Sequence, residues 1–225
     1  MMRVIVFDLG GTLMEYEGMP HSWVDYYEQG LEQINKKNNC NKSADDISKS
    51  ADILKTYNPR VHYRETEYSP EYIFSKVLEH WKIDIAVKDC VYTFYEGLRL
   101  KAKIYADTVP VLKELRNRKY GIATLTDLPT AMPDELFKRD ISELLKYFDL
   151  YISSSICGFR KPNSMGLRQI AEYFNISITK LVFVGDEEKD RKTAQNAGCK
   201  FIYVNRKKKD NDSIQDLYEL LDILN

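Results

Sequence analysis

Short, continuous apolar runs are the clearest pattern in the chain. They are rich in β-branched or aromatic residues and do not alternate with polar positions. The runs cover 4–7, 121–125, 180–184 and 200–204, with a weaker fifth at 149–153. This pattern is typical of strands buried on both faces of a parallel sheet.

Amphipathic segments separate these runs from residue 104 onward. Four helices are predicted, over 107–119, 134–147, 163–174 and 190–197. A last helix is expected after Ser213 as its N-cap, with an apolar stripe of Ile214, Leu217, Leu220, Leu221 and Leu224. Alternating strands and helices predict an α/β fold with a doubly wound, mostly parallel sheet.

Residues 16–100 follow a different pattern, with helical periodicity and no convincing strand. The predicted helices cover 22–37, 44–55, 70–81 and 86–100. The sequence therefore predicts two parts. Residues 1–15 and 101–225 form an α/β core domain, and residues 16–100 form an all-helical domain inserted into it.

Composition narrows the class of protein. Of the 225 residues, 44% are hydrophobic, and 33 basic against 34 acidic residues give a net charge of −1. This balance gives no reason to expect nucleic acid or a membrane surface as a partner. No apolar run approaches the roughly 20 residues that span a bilayer. Nothing in the sequence indicates an oligomeric state.

The cysteines and histidines are scattered along the chain. Cys40, Cys90, Cys157 and Cys199 form no CxxC pair, and no histidine cluster accompanies them. We expect reduced structural thiols in a cytoplasmic protein.

Polar residues follow the predicted strands and could carry chemistry. They are Asp8, Thr126, Asp127, Lys161, Asp186 and Asp190. In open α/β sheets, ligands bind at the carboxyl ends of the strands, so these side chains are expected to meet at one edge.

Charge at that edge indicates a metal and a phosphate. Asp8, Asp186 and Asp190 would repel one another unless a cation offset them. Mg²⁺ binds carboxylate and carbonyl oxygens and bridges to phosphate, and Lys161 adds a positive charge. Ordinary helix caps are the alternative for any single aspartate. Taken together, the positions favour a Mg²⁺-organised site for a small phosphorylated substrate.

These residues also carry a family pattern. The sequence resembles the haloacid dehalogenase superfamily of phosphohydrolases, whose four motifs occur here in order. They are Asp8-Leu9-Gly10-Gly11-Thr12, Thr126, Lys161-Pro162, and Gly185-Asp186 with Asp190. The resemblance implies a Rossmann-like core, and the helical insertion resembles the cap that covers the family's active site.

The resemblance implies roles for the reacting groups. Asp8 would attack phosphorus and form an aspartyl-phosphate, which is covalent catalysis by a carboxylate. Thr126 would hydrogen-bond a phosphoryl oxygen, and Lys161 would neutralise charge on the nucleophile and the phosphate.

It implies further roles around them. Asp8, Asp186 and the backbone carbonyl of Gly10 would hold Mg²⁺, with Asp190 assisting. The substrate-binding residues would be Gly11, Thr12 and Asp127, of which Thr12 would orient the motif loop.

Gly10 departs from the family pattern. An aspartate at this position acts as the family's general acid and base, whereas glycine keeps the carbonyl and lacks the carboxylate. One interpretation is a phosphatase whose substrate has a good leaving group, such as an acyl or aryl phosphate. Alternatively, Asp127, Glu15 or His21 would supply the proton.

Two other interpretations stay open. The protein could be catalytically weak or inactive and bind a phosphorylated ligand. It could also cleave carbon–halogen or carbon–phosphorus bonds. Asp186 and Asp190 count against a dehalogenase, because dehalogenases use no Mg²⁺. A phosphonatase needs a cap lysine, and nothing singles out Lys36, Lys37 or Lys55.

Two basic stretches have alternative interpretations. Arg60, His62 and Arg64 could select an anionic or aromatic substrate, or could form a solvated linker between cap helices. The run from Arg206 to Lys209 is interpreted as a solvated loop rather than an anion site. Hinges for cap opening are expected near residues 15–20 and 100–106.

Overall fold

A computed structural model describes residues 3–18, 22–208 and 212–224. Its strands form one large and one small sheet. In chain order they are β1 (Val4–Phe7), β2 (Met14–Tyr16), β3 (Ala102–Ile104), β4 (Gly121–Thr126), β5 (Leu150–Ser153), β6 (Leu181–Gly185), β7 (Lys200–Val204) and β8 (Ser213–Ile214).

The large sheet has the order β5-β4-β1-β6-β7-β8, and all of its pairings are parallel. Strand β1 lies at its centre, with Val4 opposite Gly121 of β4 and Leu181 of β6. All four β1 residues are fully buried. Burial on both faces explains why this strand reads as a continuous apolar run.

Helices surround the sheets. They are α1 (Tyr27–Lys37), α2 (Ala44–Thr56), α3 (Pro70–Trp81), α4 (Val87–Gly97), α5 (Thr108–Asn117), α6 (Asp134–Asp140), α7 (Ser142–Leu145), α8 (Ser154–Cys157), α9 (Met165–Tyr173), α10 (Glu188–Ala197) and α11 (Tyr218–Ile223). Short 3₁₀ segments precede α1 and β6, at Trp23–Tyr26 and Ile178–Lys180.

Alternate residues of β1 enter two different apolar cores. Ile5 and Phe7 belong to the core that contains the buried faces of α5, α6 and α11. Val4 and Val6 belong to the core formed with α9 and α10. Helices therefore cover both faces of the sheet, which confirms the predicted doubly wound α/β fold.

Helices α1 to α4, which lie between β2 and β3 in the sequence, pack on one another. Their interior holds large buried side chains such as Leu31, Trp81 and Phe94. Strands β2 and β3 form an antiparallel pair in which Met14 lies opposite Ile104. The chain enters the four helices after β2 and returns from them through β3. This pair lies where hinges were expected and was not predicted as strands.

The predicted start of the last helix is wrong. Ser213 and Ile214 form β8 instead, which extends the sheet beside Tyr203 of β7. Helix α11 begins later, and the Asp216 carboxylate accepts hydrogen bonds from the amides of Tyr218 and Glu219 at 2.9 and 3.2 Å. Ser213 is therefore not its N-cap. The segment 134–147 is also divided, into α6 and α7.

All four cysteines are free thiols, as expected. Within the described ranges, no helix is long and apolar enough to cross a membrane.

Candidate active site

Asp8 lies at the carboxyl end of the central strand, where the apolar run ends. Its side chain is buried, and its amide donates to the carbonyl of Val184 in β6 at 2.9 Å. The Lys161 ammonium donates to Asp8 Oδ1 at 2.8 Å. One carboxylate oxygen of Asp8 is therefore fixed by a buried cation.

Lys161 binds three aspartates. Its ammonium also lies 2.6 Å from Asp190 Oδ1, and its backbone amide donates to Asp127 Oδ1 at 3.0 Å. Burial alone would lower the pKa of Lys161, but the charges of Asp190, Asp8 and Asp127 raise it well above its usual value. Lys161 therefore stays a cation.

Asp8, Asp186 and Asp190 form an acidic cluster. Each offers an oxygen, and these atoms lie within 4.8 Å of one another. Burial, helped by repulsion from Asp190, raises the pKa of Asp8 to about 7 and that of Asp186 to about 6. Three hard oxygen donors whose charge one lysine only partly offsets fit a divalent cation.

Two further contacts orient the cluster. The Thr12 hydroxyl donates to Asp186 Oδ1 at 3.2 Å, and the amide of Glu187 donates to Asp190 Oδ2 at 3.0 Å. Gly11 has a φ of +79°, and a Cβ there would lie 2.1 Å from Asp186 Oδ2. Only glycine therefore fits between the motif loop and Asp186.

Gly10 differs from Gly11 in this respect. A Cβ on Gly10 would meet no atom within 4 Å, and its φ is not in the left-handed region. Gly10 lines the same cavity as Asp8 and Asp186. Neither the space nor the backbone therefore demands glycine at position 10.

Thr126 is the last residue of β4, and Asp127 follows it. Both residues line the same cavity. Asp127 Oδ1 accepts the Lys161 amide, and Oδ2 lies 3.3 Å from the Lys189 ammonium. Burial would raise the pKa of Asp127, but Lys189, Arg160 and Lys161 outweigh it and lower the pKa to about 2. Asp127 is therefore ionised and holds no proton to donate near neutral pH.

The other suggested proton donors are placed differently. Glu15 lines the cavity and accepts from the Tyr105 hydroxyl at 3.1 Å and from Lys103 at 3.3 Å. His21 lies outside the described residues. No described atom of Lys36, Lys37 or Lys55 lines the cavity.

Sequence reasoning missed Glu187 and Lys189, which occupy the variable positions of the fourth motif. Lys189 lies 2.9 Å from Glu187 and also binds Asp127. Arg60 reaches from the loop after α2 to form an ion pair with Glu187. Burial would raise the pKa of Glu187, but Lys189, Arg60 and Lys161 together lower it to about 2. The only signal for Glu187 and Lys189 was their spacing within the motif.

Arg60, His62 and Arg64 separate in the structure. Arg60 lines the cavity, whereas His62 is exposed. Arg64 forms an ion pair with Glu67 at 3.0 Å. Neither substrate selection nor a solvated linker therefore describes all three residues.

The cavity has a volume of about 770 Å³ and a mixed lining. Its charged residues include Asp8, Lys161 and Asp186. Its apolar and aromatic residues are Met14, Tyr16, Trp23, Leu128, Pro129 and Phe137. Tyr16 and Trp23 pack edge to face, with ring centroids 5.7 Å apart. The site therefore offers charged groups for an anion, and apolar and aromatic surface for another part of a ligand.

The loop between α2 and α3 contacts residues 158–160, which precede Lys161. The amide of Glu67 donates to the Gly158 carbonyl at 3.0 Å, and the amide of Arg160 donates to the Glu65 carbonyl at 2.7 Å. We call this paired stretch, 65–67 against 158–160, the latch. The Glu67 carboxylate also binds Arg160 and accepts from the Ser154 hydroxyl at 2.6 Å.

Replacing Glu67 with glutamine is expected to destabilise the protein by about 3–5 kcal/mol, because it leaves the buried Arg64 without its carboxylate partner and leaves Arg160 only Asp127, at 4.0 Å. Arg64 and Arg160 have only 10% and 5% of their side chains exposed. Chemical denaturation measures the change. Glu79→Gln removes an exposed partner of Lys76 and should cost less than about 1 kcal/mol. Equal losses in both variants would contradict this account of the latch.

Comparison with known proteins identifies the family. A profile of the haloacid dehalogenase-like hydrolase family matches residues 2–198. The chain belongs to this family.

Individual relatives are distant. A phosphoglycolate phosphatase of Aliivibrio fischeri is 24% identical over 197 residues, which cover 88% of this chain and 81% of that protein. One from Vibrio vulnificus is 31% identical over 108 residues, and the match spans about half of each chain, 47% and 46%.

Solved structures support the fold. A phosphatase of the same superfamily from Thermococcus onnurineus superposes with a TM-score of 0.65 at 20% identity, covering 99% of this chain and 98% of that one. A dehalogenase superposes with a TM-score of 0.59 at 14% identity, covering 99% and 96%.

Proposed function

We propose that the protein is a Mg²⁺-dependent phosphatase that acts on a small phosphorylated molecule through an aspartyl-phosphate at Asp8. The observation that carries this proposal is the contact of Asp8 with buried Lys161, beside a cluster of three carboxylates of which Asp8 and Asp186 line a cavity. The phosphatases among the relatives support a phosphorylated substrate. Phosphoglycolate is therefore one compound to test.

The metal site consists of Asp8, Asp186, Asp190 and the backbone carbonyl of Gly10. Bound Mg²⁺ supplies positive charge that offsets the negative charge of these carboxylates and of the phosphate. Thr12 and Gly11 serve this site by holding Asp186 in place and by leaving room for it.

The reaction has two steps. An oxygen of Asp8 forms a bond to phosphorus as the bond from phosphorus to the leaving oxygen breaks. Water then attacks the same phosphorus, which releases inorganic phosphate and restores the Asp8 carboxylate. Lys161 offsets the charge on Asp8 and phosphate, and the Thr126 hydroxyl donates to a phosphoryl oxygen. Asp127 positions Lys161 through its backbone amide.

Gly10 favours a substrate whose leaving group departs without a positioned proton. An aryl or acyl phosphate meets this condition, because its leaving group is already a weak base. Asp127 cannot supply the proton while it is ionised and bound by cations. The aromatic residues that line the cavity, Tyr16 and Trp23 among them, support an aryl group.

Residues 16–100 form the cap in this proposal, and residues 1–15 and 101–225 form the core. The latch and the ion pair between Arg60 and Glu187 hold the cap over the cavity. Such a lid excludes water from the reacting groups. The β2–β3 pair forms the connection about which it would move.

A panel of aryl, acyl and alkyl phosphates, including phosphoglycolate, tests the proposal with Mg²⁺ present. We expect turnover on aryl or acyl phosphates that Asp8→Asn abolishes. No turnover above the Asp8→Asn background on any compound would overturn it. Gly10 also favours a second candidate, a protein that only binds a phosphorylated ligand. That candidate predicts thermal stabilisation by the ligand that persists in Asp8→Asn, without turnover.

Magnesium affinity is expected to rise with pH up to about 7. The raised pKa values of Asp8 and Asp186 mean that both carboxyls hold protons below this range, and Mg²⁺ must displace them. Calorimetric titration at pH 5.5 and pH 8 should show tighter binding at pH 8, with proton release at the lower pH. Equal affinity at both values would contradict the assignment of these ligands.

The stability of the metal-free protein should change with pH in the opposite direction to its Mg²⁺ affinity. Carboxyls with a raised folded pKa favour the folded state less once they ionise, so their contribution to stability falls as pH rises toward 7. Added Mg²⁺ should therefore raise the Tm more at pH 8 than at pH 5.5. A larger Mg²⁺-induced shift at pH 5.5 would argue against the acidic cluster as the metal site.

A further inference from the structure

Arg206 lies just after β7, and its side chain is largely buried. The interpretation of the 206–209 run as a solvated loop is wrong for this residue. Lys207 and Lys208 are exposed, and Lys209 lies outside the described residues. The burial of Arg206 suggests a role inside the protein.

The Arg206 guanidinium makes three kinds of contact. It donates to the Thr12 carbonyl through Nε at 3.1 Å and Nη2 at 2.6 Å. It pairs with both oxygens of Asp107, at 3.0 and 3.2 Å, and it stacks 3.9 Å from the centroid of the Tyr105 ring. A planar group that uses donors on two sides and stacks on an aromatic ring has one fixed orientation.

Thr12 carries this restraint to the acidic cluster. Its carbonyl accepts from Arg206 while its hydroxyl donates to Asp186. The loop carbonyl at Gly10 lies two residues before it. The same loop is also held by Thr108, whose hydroxyl donates to the Leu13 carbonyl at 2.8 Å.

Asp107 anchors Arg206 to the rest of the fold. Besides the guanidinium, its Oδ2 accepts from the amide of Leu217 at 2.7 Å. Arg206 therefore links the motif loop to the start of α5 and to the chain before α11.

We propose that Arg206 is a positioning residue that holds the motif loop in the geometry needed for Mg²⁺ binding. This inference rests on the proposed metal site. It assigns Arg206 no contact with the substrate. Because outer contacts of metal ligands typically change affinity by about 10- to 100-fold, loss of Arg206 is expected to weaken Mg²⁺ binding by about 10-fold.

Two variants and one matched control test this role. Arg206→Met keeps much of the side-chain length and removes every donor. Arg206→Lys keeps the charge, but one ammonium cannot serve the Thr12 carbonyl and both Asp107 oxygens. The control is Arg118→Met, because Arg118 also bonds a carboxylate, of Glu114, and a carbonyl, of Leu221, at other places in the fold.

Calorimetric Mg²⁺ titration and amide hydrogen exchange of the segment 9–14 are the two measurements. Loop amides such as those of Leu13 and Met14 bond the Leu9 carbonyl, so their exchange reports local opening. Both Arg206 variants should bind Mg²⁺ more weakly and exchange faster in this segment, whereas Arg118→Met should match the wild-type protein in both.

Wild-type Mg²⁺ affinity in either folded Arg206 variant would overturn the inference, as would unchanged exchange in 9–14. An equal effect of Arg118→Met would also overturn it, by showing a general loss of stability. Neither measurement needs turnover, so failure of the proposed phosphatase activity would be seen separately, in the substrate panel. A wild-type protein that binds no Mg²⁺ would overturn this inference and the proposed metal site together.

Discussion

Substituting asparagine for Asp8 is expected to lower Mg²⁺-dependent turnover by roughly 10⁴-fold or more, because the reaction loses its nucleophile. Asparagine has nearly the same shape as aspartate. Lys161 keeps Asp190 as a partner at 2.6 Å, so the buried cation is not left alone. Steady-state hydrolysis of an aryl phosphate measures the effect.

Asp149→Asn is the matched control. Asp149 lies just before β5, and its carboxylate accepts from the amide of Ile122 at 2.9 Å. It does not line the cavity. This variant should keep the wild-type turnover. Residual turnover in Asp8→Asn close to that of Asp149→Asn would exclude Asp8 as the nucleophile.

Substituting aspartate for Gly10 is expected to raise turnover on alkyl phosphates by about 10²–10⁴-fold, the usual contribution of a positioned general acid and base. A Cβ at Gly10 would meet no atom within 4 Å, and the φ of Gly10 lies outside the left-handed region. Because Gly10 lines the cavity, we expect the new carboxylate to face the same space as Asp8 and Asp186.

Gly10→Asn separates acid–base chemistry from a change of shape, because asparagine has the size of aspartate and no titrating group. Only the aspartate variant should gain activity on alkyl phosphates, because only its side chain can donate and accept a proton. If the two variants behaved alike, the absence of a proton carrier at position 10 would not be what limits the wild-type protein.

Much of the fold follows from local patterns. The continuous apolar run at 4–7 predicts a strand buried on both faces of the sheet, and all four residues of β1 are buried. The sequence also predicts that Asp8, Lys161 and Asp186 lie close together, because parallel strands place their carboxyl ends at one edge of the sheet.

Features set by distant partners could not be predicted in this way. Each strand of the β2–β3 pair has three residues, too few to show a period. Glu67 and Arg160 lie 93 positions apart, and Arg206 and Thr12 lie 194 apart. A charged residue in a loop has the same local pattern whether it is solvated or, like Arg206, buried against a carbonyl.

The error at Ser213 has a related cause. Serine before an apolar stripe suits a helix cap, and the stripe does continue into α11. Ser213 and Ile214 instead bond to the open edge of β7. The preference of serine for a helix cap is overridden here by the pairing of β8 with β7, which the local sequence does not encode.

The most direct test of the central claim is to look for phosphate on Asp8. The wild-type protein is mixed with Mg²⁺ and an aryl phosphate, quenched in acid within the first turnover, and its peptides are analysed by mass spectrometry. Without a base at Gly10 the second step should be slow, so the peptide that contains Asp8 should carry one phosphoryl group in most molecules. Steady turnover with no phosphoryl group on that peptide at any quench time would contradict the account.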